Sequence, residues 1–228
     1  MSLVPPSLPP PRLLAIDAAL GSRSVAIVTG GVVLAECAEP GGHAEGERLA
    51  PMVAAVLRAA GLRAAALDAV AVTVGPGSFT GIRAALALAH GMALAAGGAP
   101  VAVTVAEAIA AGLPPLNGRA LWVATASRRG RVFLDIDGQL ASVALDALPT
   151  PSGPVAVAGD AAIAVMARLT ARGCDVRLMD ARGVRARDVA RVAAARLAGS
   201  LAPLAAVPLY VDAPEARLPA GGLRPAPA

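Results

Sequence analysis

An α/β fold is predicted by three features of the 228-residue chain. Residues 69–74 form a short apolar, β-branched run that reaches Gly75-Pro76-Gly77 and continues into alanine-rich sequence as far as Gly97, which reads as strand, tight loop, helix. Three short β-patterned segments, 13–17, 24–29 and 32–38, precede it, with Gly21-Ser22 and Gly30-Gly31 as turns. They predict an antiparallel meander. The second half then restarts strand-first at 121–125 and 132–136, around a turn at 128–130.

The elements follow in order. After Pro40-Gly41-Gly42, a helix is predicted by Leu49, Met52, Val53, Val56, Leu57 and Ala60, spaced by threes and fours, with Gly61 as its stop. Arg48, Arg58 and Glu47 lie off that stripe. The helix after Gly77 carries Arg83, Ala87 and His90 along one side, and its alanines with Gly91 permit close approach of another helix. Residues 101–103 make a buried strand, and Thr104-Val105-Ala106-Glu107 fits a capping box that opens a short helix. Pro114-Pro115 ends it and Asn117-Gly118 turns the chain. The boundary between an N-terminal lobe (13–113) and a smaller C-terminal lobe (114–212) falls here. Beyond the prolines of 149–154 come a strand at 155–158, a helix start at Gly159-Asp160 and a helix over 185–197. Residues 1–12, with five prolines, read as a disordered extension and 213–228 as a flexible tail.

Composition removes several classes of function. All 20 basic residues are arginine, and a net charge of +4 is modest, so nonspecific nucleic-acid binding is secondary. Cys37 and Cys174 stand far apart with no CxxC partner, as unpaired thiols in a reducing cytosol do. His43 and His90 are 47 positions apart, and no zinc ligand set is visible. His43 reads as a capping or exposed residue at the start of the first helix. Residues 84–106 hold no Asp, Glu, Lys or Arg, but the run is mostly Ala and is broken at Gly97-Gly98-Ala99-Pro100. A membrane span is not predicted.

Three features have two readings each. The Gly75 to Thr80 loop, with Ser78 or Thr80 as helix cap, could hold an anion or could only pack a helix closely on the sheet; without a Lys beside the Ser/Thr it is no P-loop. Asp17, at the end of the first strand, could face a metal–phosphate site or anchor the strand end through backbone hydrogen bonds. Eight arginines between 168 and 196 could form an RNA-contacting face at Arg185, Arg187 and Arg191, or a solvated one. No nucleophile–base pair or carboxylate dyad stands at informative spacing, so no catalytic residue is assigned.

The string Gly75-Pro76-Gly77-Ser78-Phe79-Thr80-Gly81-Ile82-Arg83 resembles the hallmark of the TsaB (YeaZ) family. Supporting matches are Leu14-Ala15-Ile16-Asp17, Gly42-His43-Ala44-Glu45, Arg128-Arg129-Gly130-Arg131-Val132-Phe133 and Pro208-Leu209-Tyr210, so the likeness covers about residues 13–212. It departs from the family at Ala126-Ser127-Arg128, where Asp-Ala-Arg is common, and at Ala18, where Thr is usual.

The resemblance implies a duplicated, two-lobe, actin-like or ribonuclease-H-like fold and a non-catalytic relative of the catalytic subunit TsaD. Such proteins support synthesis of N6-threonylcarbamoyladenosine at adenosine 37 of tRNA, in the cytoplasm, by binding TsaD, with the ATPase TsaE joining the pair. It implies a partner seam on the first two helices at Leu49, Met52, Val53, Val56, Arg83, Ala87 and His90. It also implies a homodimer when the partner is absent, only indirect contact with tRNA, no cofactor of the chain's own, and ATP or ADP only at the complex interface. A vestigial nucleotide site would use Asp17, Gly75, Gly77, Ser78 and Thr80. The rival readings are an autonomous actin-fold ATP-binding enzyme and, further off, a peptidase.

Overall fold

A computed structural model of the chain describes residues 9–41, 45–128 and 130–212. The expectations attached to Gly42-His43-Ala44, to Arg129, to the extension before Pro9 and to the tail from 213 lie outside these.

The first sheet has the order β3-β2-β1-β4-β5, from β1 (Arg12–Asp17), β2 (Ser22–Thr29), β3 (Val32–Pro40), β4 (Ala69–Gly75) and β5 (Val101–Thr104). β1, β2 and β3 form the predicted antiparallel meander, and β4 and β5 add in parallel on the other side of β1. The second sheet repeats the plan as β10-β9-β6-β7-β8, from β6 (Ala120–Ala126), β7 (Arg131–Ile136), β8 (Gln139–Ala144), β9 (Val155–Ala158) and β10 (Val176–Leu178). Again the first three strands are antiparallel and the last two parallel to the first. This is the duplicated two-lobe α/β architecture that the resemblance implies.

Residues 13–17 of β1 are all buried, because helices cover the sheet on both sides. α1 (Glu45–Ala59) and α2 (Phe79–Ala95) pack side by side over β1–β4. α3 (Val105–Gly112) and α5 (Ala186–Leu197) pack together, with α5 laid across β1, β2, β4 and β5. The predicted capping box opens α3: Glu107 N–H donates to Thr104 Oγ1 at 3.1 Å, and the Glu107 carboxylate accepts from Thr104 N–H at 2.8 Å. α4 (Ala162–Ala171) serves the second sheet, and the link from β8 to β9 carries no helix corresponding to α1.

The placement of α5 changes the expected division at residue 114. Val184, Ala186, Val189, Ala190 and Ala193 are buried in the first lobe's core. Their small side chains let the helix lie flat on the sheet. The chain thus builds the second lobe and then returns α5 to the first.

Candidate interaction face and interlobe cleft

The loop after β4 is fastened to the turn that follows β1. Ser78 N–H donates to Ala19 O at 2.7 Å, and Ser78 caps α2 by accepting from Gly81 N–H at 3.1 Å. A Cβ on Gly77 would stand 2.0 Å from Ala19 O, and one on Gly81 2.0 Å from Ala18 O. Backbone meets backbone at both positions, and only glycine allows that approach. Two of the amides that would cradle an anion, those of Ser78 and Gly81, are thus bonded within the chain. Thr80 is exposed and caps nothing.

Asp17 is fully buried; its Oδ1 accepts from Thr73 Oγ1 at 2.6 Å and from Ala19 N–H at 3.2 Å. These are the bonds of the strand-anchoring reading. The second lobe repeats the device: Ala161 N–H donates to Ala124 O at 3.1 Å, and a Cβ on Gly159 would lie 2.1 Å from Ala124 O. There Asp160 accepts from Ala126 N–H at 2.7 Å, and burial pushes its carboxyl above the usual range against those backbone bonds.

Between the two loops lies a cleft of about 580 Å³, walled by Leu20, Phe79, Phe133 and Tyr210, with Arg128 and Asp160 among its polar groups. Ligand pockets span roughly 300–1,000 Å³. Residues 204–212 form a strap whose last five residues, 208–212, line the cleft. Leu209 N–H donates to Val74 O at 2.8 Å on the first lobe, while Asp212 accepts from Ser142 Oγ at 3.3 Å and Arg128 Nη2 at 3.4 Å on the second.

The expected seam residues divide. Leu49, Met52, Val53 and Val56 are 1–4% exposed, in the chain's own core. That corrects the seam: α1 spends its apolar stripe on covering β2 and β3, which leaves Glu47, Ala50, Pro51, Ala54, Ala55 and Arg58 on its outer side. Arg83, Ala87 and His90 are exposed on α2, beside Gly91 and Leu94. Because α1 and α2 share one side of the sheet, their outer sides make one surface on which Ala50, Ala54, Ala55, Ala87 and Gly91 lie exposed together with Arg58, Arg83, His90 and Leu94.

Two of those α2 residues hold the strap. Arg83 donates to Tyr210 Oη at 2.5 Å and stacks on Phe79 with 3.3 Å from Cζ to the ring centroid. His90 Nε2 donates to Ala206 O at 2.8 Å. The sequence carried both ends of the first contact as motifs but no sign that they meet; Phe133, Asp160 and Asp212 were not singled out as cleft residues at all.

The arginines of 185–196 are engaged internally. Arg185 and Arg191 bracket the buried Asp188 at 2.8 and 3.1 Å, Arg187 pairs with Glu36 at 3.3 Å, and Arg196 donates to Glu107 at 2.5 Å. Arg191 also donates to Ala111 O. Their charge ties α5 to α3 and β3. Among the described residues no His, Cys, Asp and Glu side chains gather as a metal site, and no helix is long and apolar enough to cross a membrane.

The family model for TsaD, tRNA N6-adenosine threonylcarbamoyltransferase, matches residues 24–134. The tRNA threonylcarbamoyladenosine biosynthesis protein TsaB of Escherichia coli K12 is 36% identical over 126 residues, 54% of this chain and 53% of that protein. The chain thus spans about half the length of that relative. An uncharacterized protein of Mycobacterium tuberculosis H37Rv is 35% identical over 219 residues, covering 90% of this chain and 93% of its own. The solved structure of YeaZ from Pseudomonas aeruginosa superposes with a TM-score of 0.73 at 26% identity, over 88% of this chain and 99% of that one.

Proposed function

We infer that this chain, which belongs to the TsaB (YeaZ) family, acts as the non-catalytic subunit of a tRNA threonylcarbamoyladenosine synthesis complex in the cytoplasm. Its partner is a TsaD-like catalytic subunit, docked on the outer side of α1 and α2. The observation that carries this reading is that surface itself: Ala50, Ala54, Ala55, Ala87 and Gly91 lie exposed on two neighbouring helices, where close helix packing requires small side chains.

Threonylcarbamoyl transfer takes place on the partner. This chain contributes differential affinity: it binds the competent conformation of the catalytic subunit better than the idle one, and each 1.4 kcal/mol of difference shifts that equilibrium about tenfold. A TsaE-like ATPase joins the assembly, ATP or ADP sits only at the joint between subunits, and tRNA is held chiefly by the partner. The internal bonds of the Ser78 and Gly81 amides support this division of labour, since a phosphate would have to displace them.

Reconstitution tests the reading. The TsaD-like subunit encoded in the same genome is assayed for tRNA modification with and without this chain. Activity of the mixture alone supports it; turnover by this chain alone, or full activity of the partner without it, overturns it. The interlobe cleft favours a second reading, an autonomous ATP-binding enzyme. Tight binding of Mg²⁺–ATP to the isolated chain by calorimetry would select that one.

A further inference from the structure

A second cavity, of about 450 Å³, lies between α5 and the β2–β3 hairpin and shares no lining residue with the interlobe cleft. Leu13 and Val28 of the sheet and Ala190 of α5, all buried, form its floor, while Val33 and Leu197 stand 38% and 50% exposed at its sides. Ala190, Ala194 and Ala198 recur every four residues along α5 and its cap, and line the cavity together. Residues at that spacing run in a row along a helix surface, so three methyl groups leave a trough that larger side chains would have filled.

One end of the trough is charged. Arg187 and Arg191, one turn apart on α5, line it as well. Arg187 uses Nε on Glu36 at 3.3 Å and Arg191 uses Nη1 on Asp188 at 3.1 Å, and their other guanidinium nitrogens have no hydrogen-bond partner among the described residues. Arg185 binds Asp188 too, at 2.8 Å, so three guanidiniums share two carboxylates and one positive charge is in excess. Small-molecule sites are built this way: a largely apolar pocket of roughly 300–1,000 Å³ in which a few charged groups fix the orientation.

We propose that this cavity binds a single-chain amphiphilic monoanion: its carboxylate accepts from the spare N–H groups of Arg187 and Arg191, and its apolar body lies along Ala194 and Ala198 toward Leu197. From Arg187 to Ala198 the helix advances about 16 Å, so head and body lie in line. One carboxylate cancels the one excess charge, through the charge-assisted hydrogen bonds that arginine makes to carboxylates. A nucleic-acid backbone fits poorly, since two partly neutralised cations release few counterions. No residue of α1 or α2 lines the cavity, so such a ligand goes beyond the functional reading above and stands or falls without it.

Calorimetry on the full chain, with decanoate, decanol and decyltrimethylammonium below the concentrations at which they form micelles, tests the site. Decanoate is expected to bind, decanol roughly tenfold or more weakly, and the cation not at all. Arg187→Gln should weaken decanoate roughly tenfold and leave decanol unchanged. Ala198 is exposed at the end of α5, so Ala198→Trp fills the trough without entering the core and should abolish binding, whereas Ala198→Ser keeps the space and should retain it. Absence of decanoate binding to wild type, equal binding of decanoate and decanol, or binding undiminished in Ala198→Trp overturns the proposal. Decanoate binding that appears only once residues 1–8 are removed also overturns it, and assigns the trough to the chain's own start. Where decanoate does not bind, sedimentation of wild type and Ala198→Trp, with and without phosphatidylglycerol vesicles, shows whether a second copy or a membrane surface takes its place.

Discussion

Arg83 and Tyr210 lie 127 residues apart in sequence and meet at 2.5 Å, so the start of α2 holds the end of the described chain. Removing the acceptor, Tyr210→Phe, takes away an exposed hydrogen bond worth about 1 kcal/mol. Global stability should fall by no more than that. Amide exchange at Leu209, whose N–H bonds Val74 O, should quicken severalfold. Exchange rates equal to wild type would mean that the strap does not depend on this contact.

Glycines on α2 differ in what surrounds them. Gly81→Ala places a methyl 2.0 Å from the Ala18 carbonyl, a backbone clash that should cost about 3 kcal/mol or more in urea unfolding. Gly91 has nothing within 4 Å, and Gly91→Ala should stabilise the helix by about 0.5–1 kcal/mol. Equal effects from the two would refute the close approach at the loop.

Much of this could be read in the sequence, because strands β1 to β7 and β9, helices α1 to α3 and α5, the start of α4 and the α3 cap rest on local patterns. Strand β8 was missed although a signal existed. Asp137-Gly138, with φ of +51° and +81°, is a two-residue hairpin turn closed by the Ile136 and Gln139 pair. β10 has only three residues, too few to show a period. The seam was misread on α1 for a physical reason: an apolar stripe reports which side a helix buries, and in a single chain that side meets its own sheet. The small residues on its outer side, Ala50, Ala54 and Ala55, form no apolar stripe that would single them out. The crossing of α5 to the first lobe and the meeting of Arg83 with Tyr210 are long-range facts that no local pattern contains.

Asp17 and Thr73 join β1 to β4 by a buried 2.6 Å bond. Thr73→Val keeps the shape and deletes the donor, leaving the carboxylate short of a partner it had. The expected loss is about 1–3 kcal/mol, checked by urea titration. A variant as stable as wild type would show that the pair is dispensable to the strand end.

Carboxylates respond to acid in opposite senses. Arg12 holds Asp68 below the usual range through hydrogen bonds, so its contribution is present above the ordinary carboxylate pKa and is lost as pH falls through the depressed value. Burial raises Asp160, so the folded chain binds the extra proton, and stability falls as pH rises from the ordinary value through the raised one. In urea midpoints against pH, the deficit of Asp68→Asn should shrink in acid, while Asp160→Asn should improve relative to wild type as pH rises through that window. Reversed trends would contradict these environments.

Met52→Glu and Val53→Glu would test folding rather than docking, since both residues are core. Ala87→Glu sits on the exposed face and leaves the core untouched.

The most direct measurement is mass spectrometry of tRNA nucleosides from cells depleted of this chain and complemented with wild type or Ala87→Glu. Loss of N6-threonylcarbamoyladenosine on depletion, restored by wild type and not by a folded Ala87→Glu protein, is the predicted result. An undiminished level of the modified nucleoside in depleted cells would contradict the account.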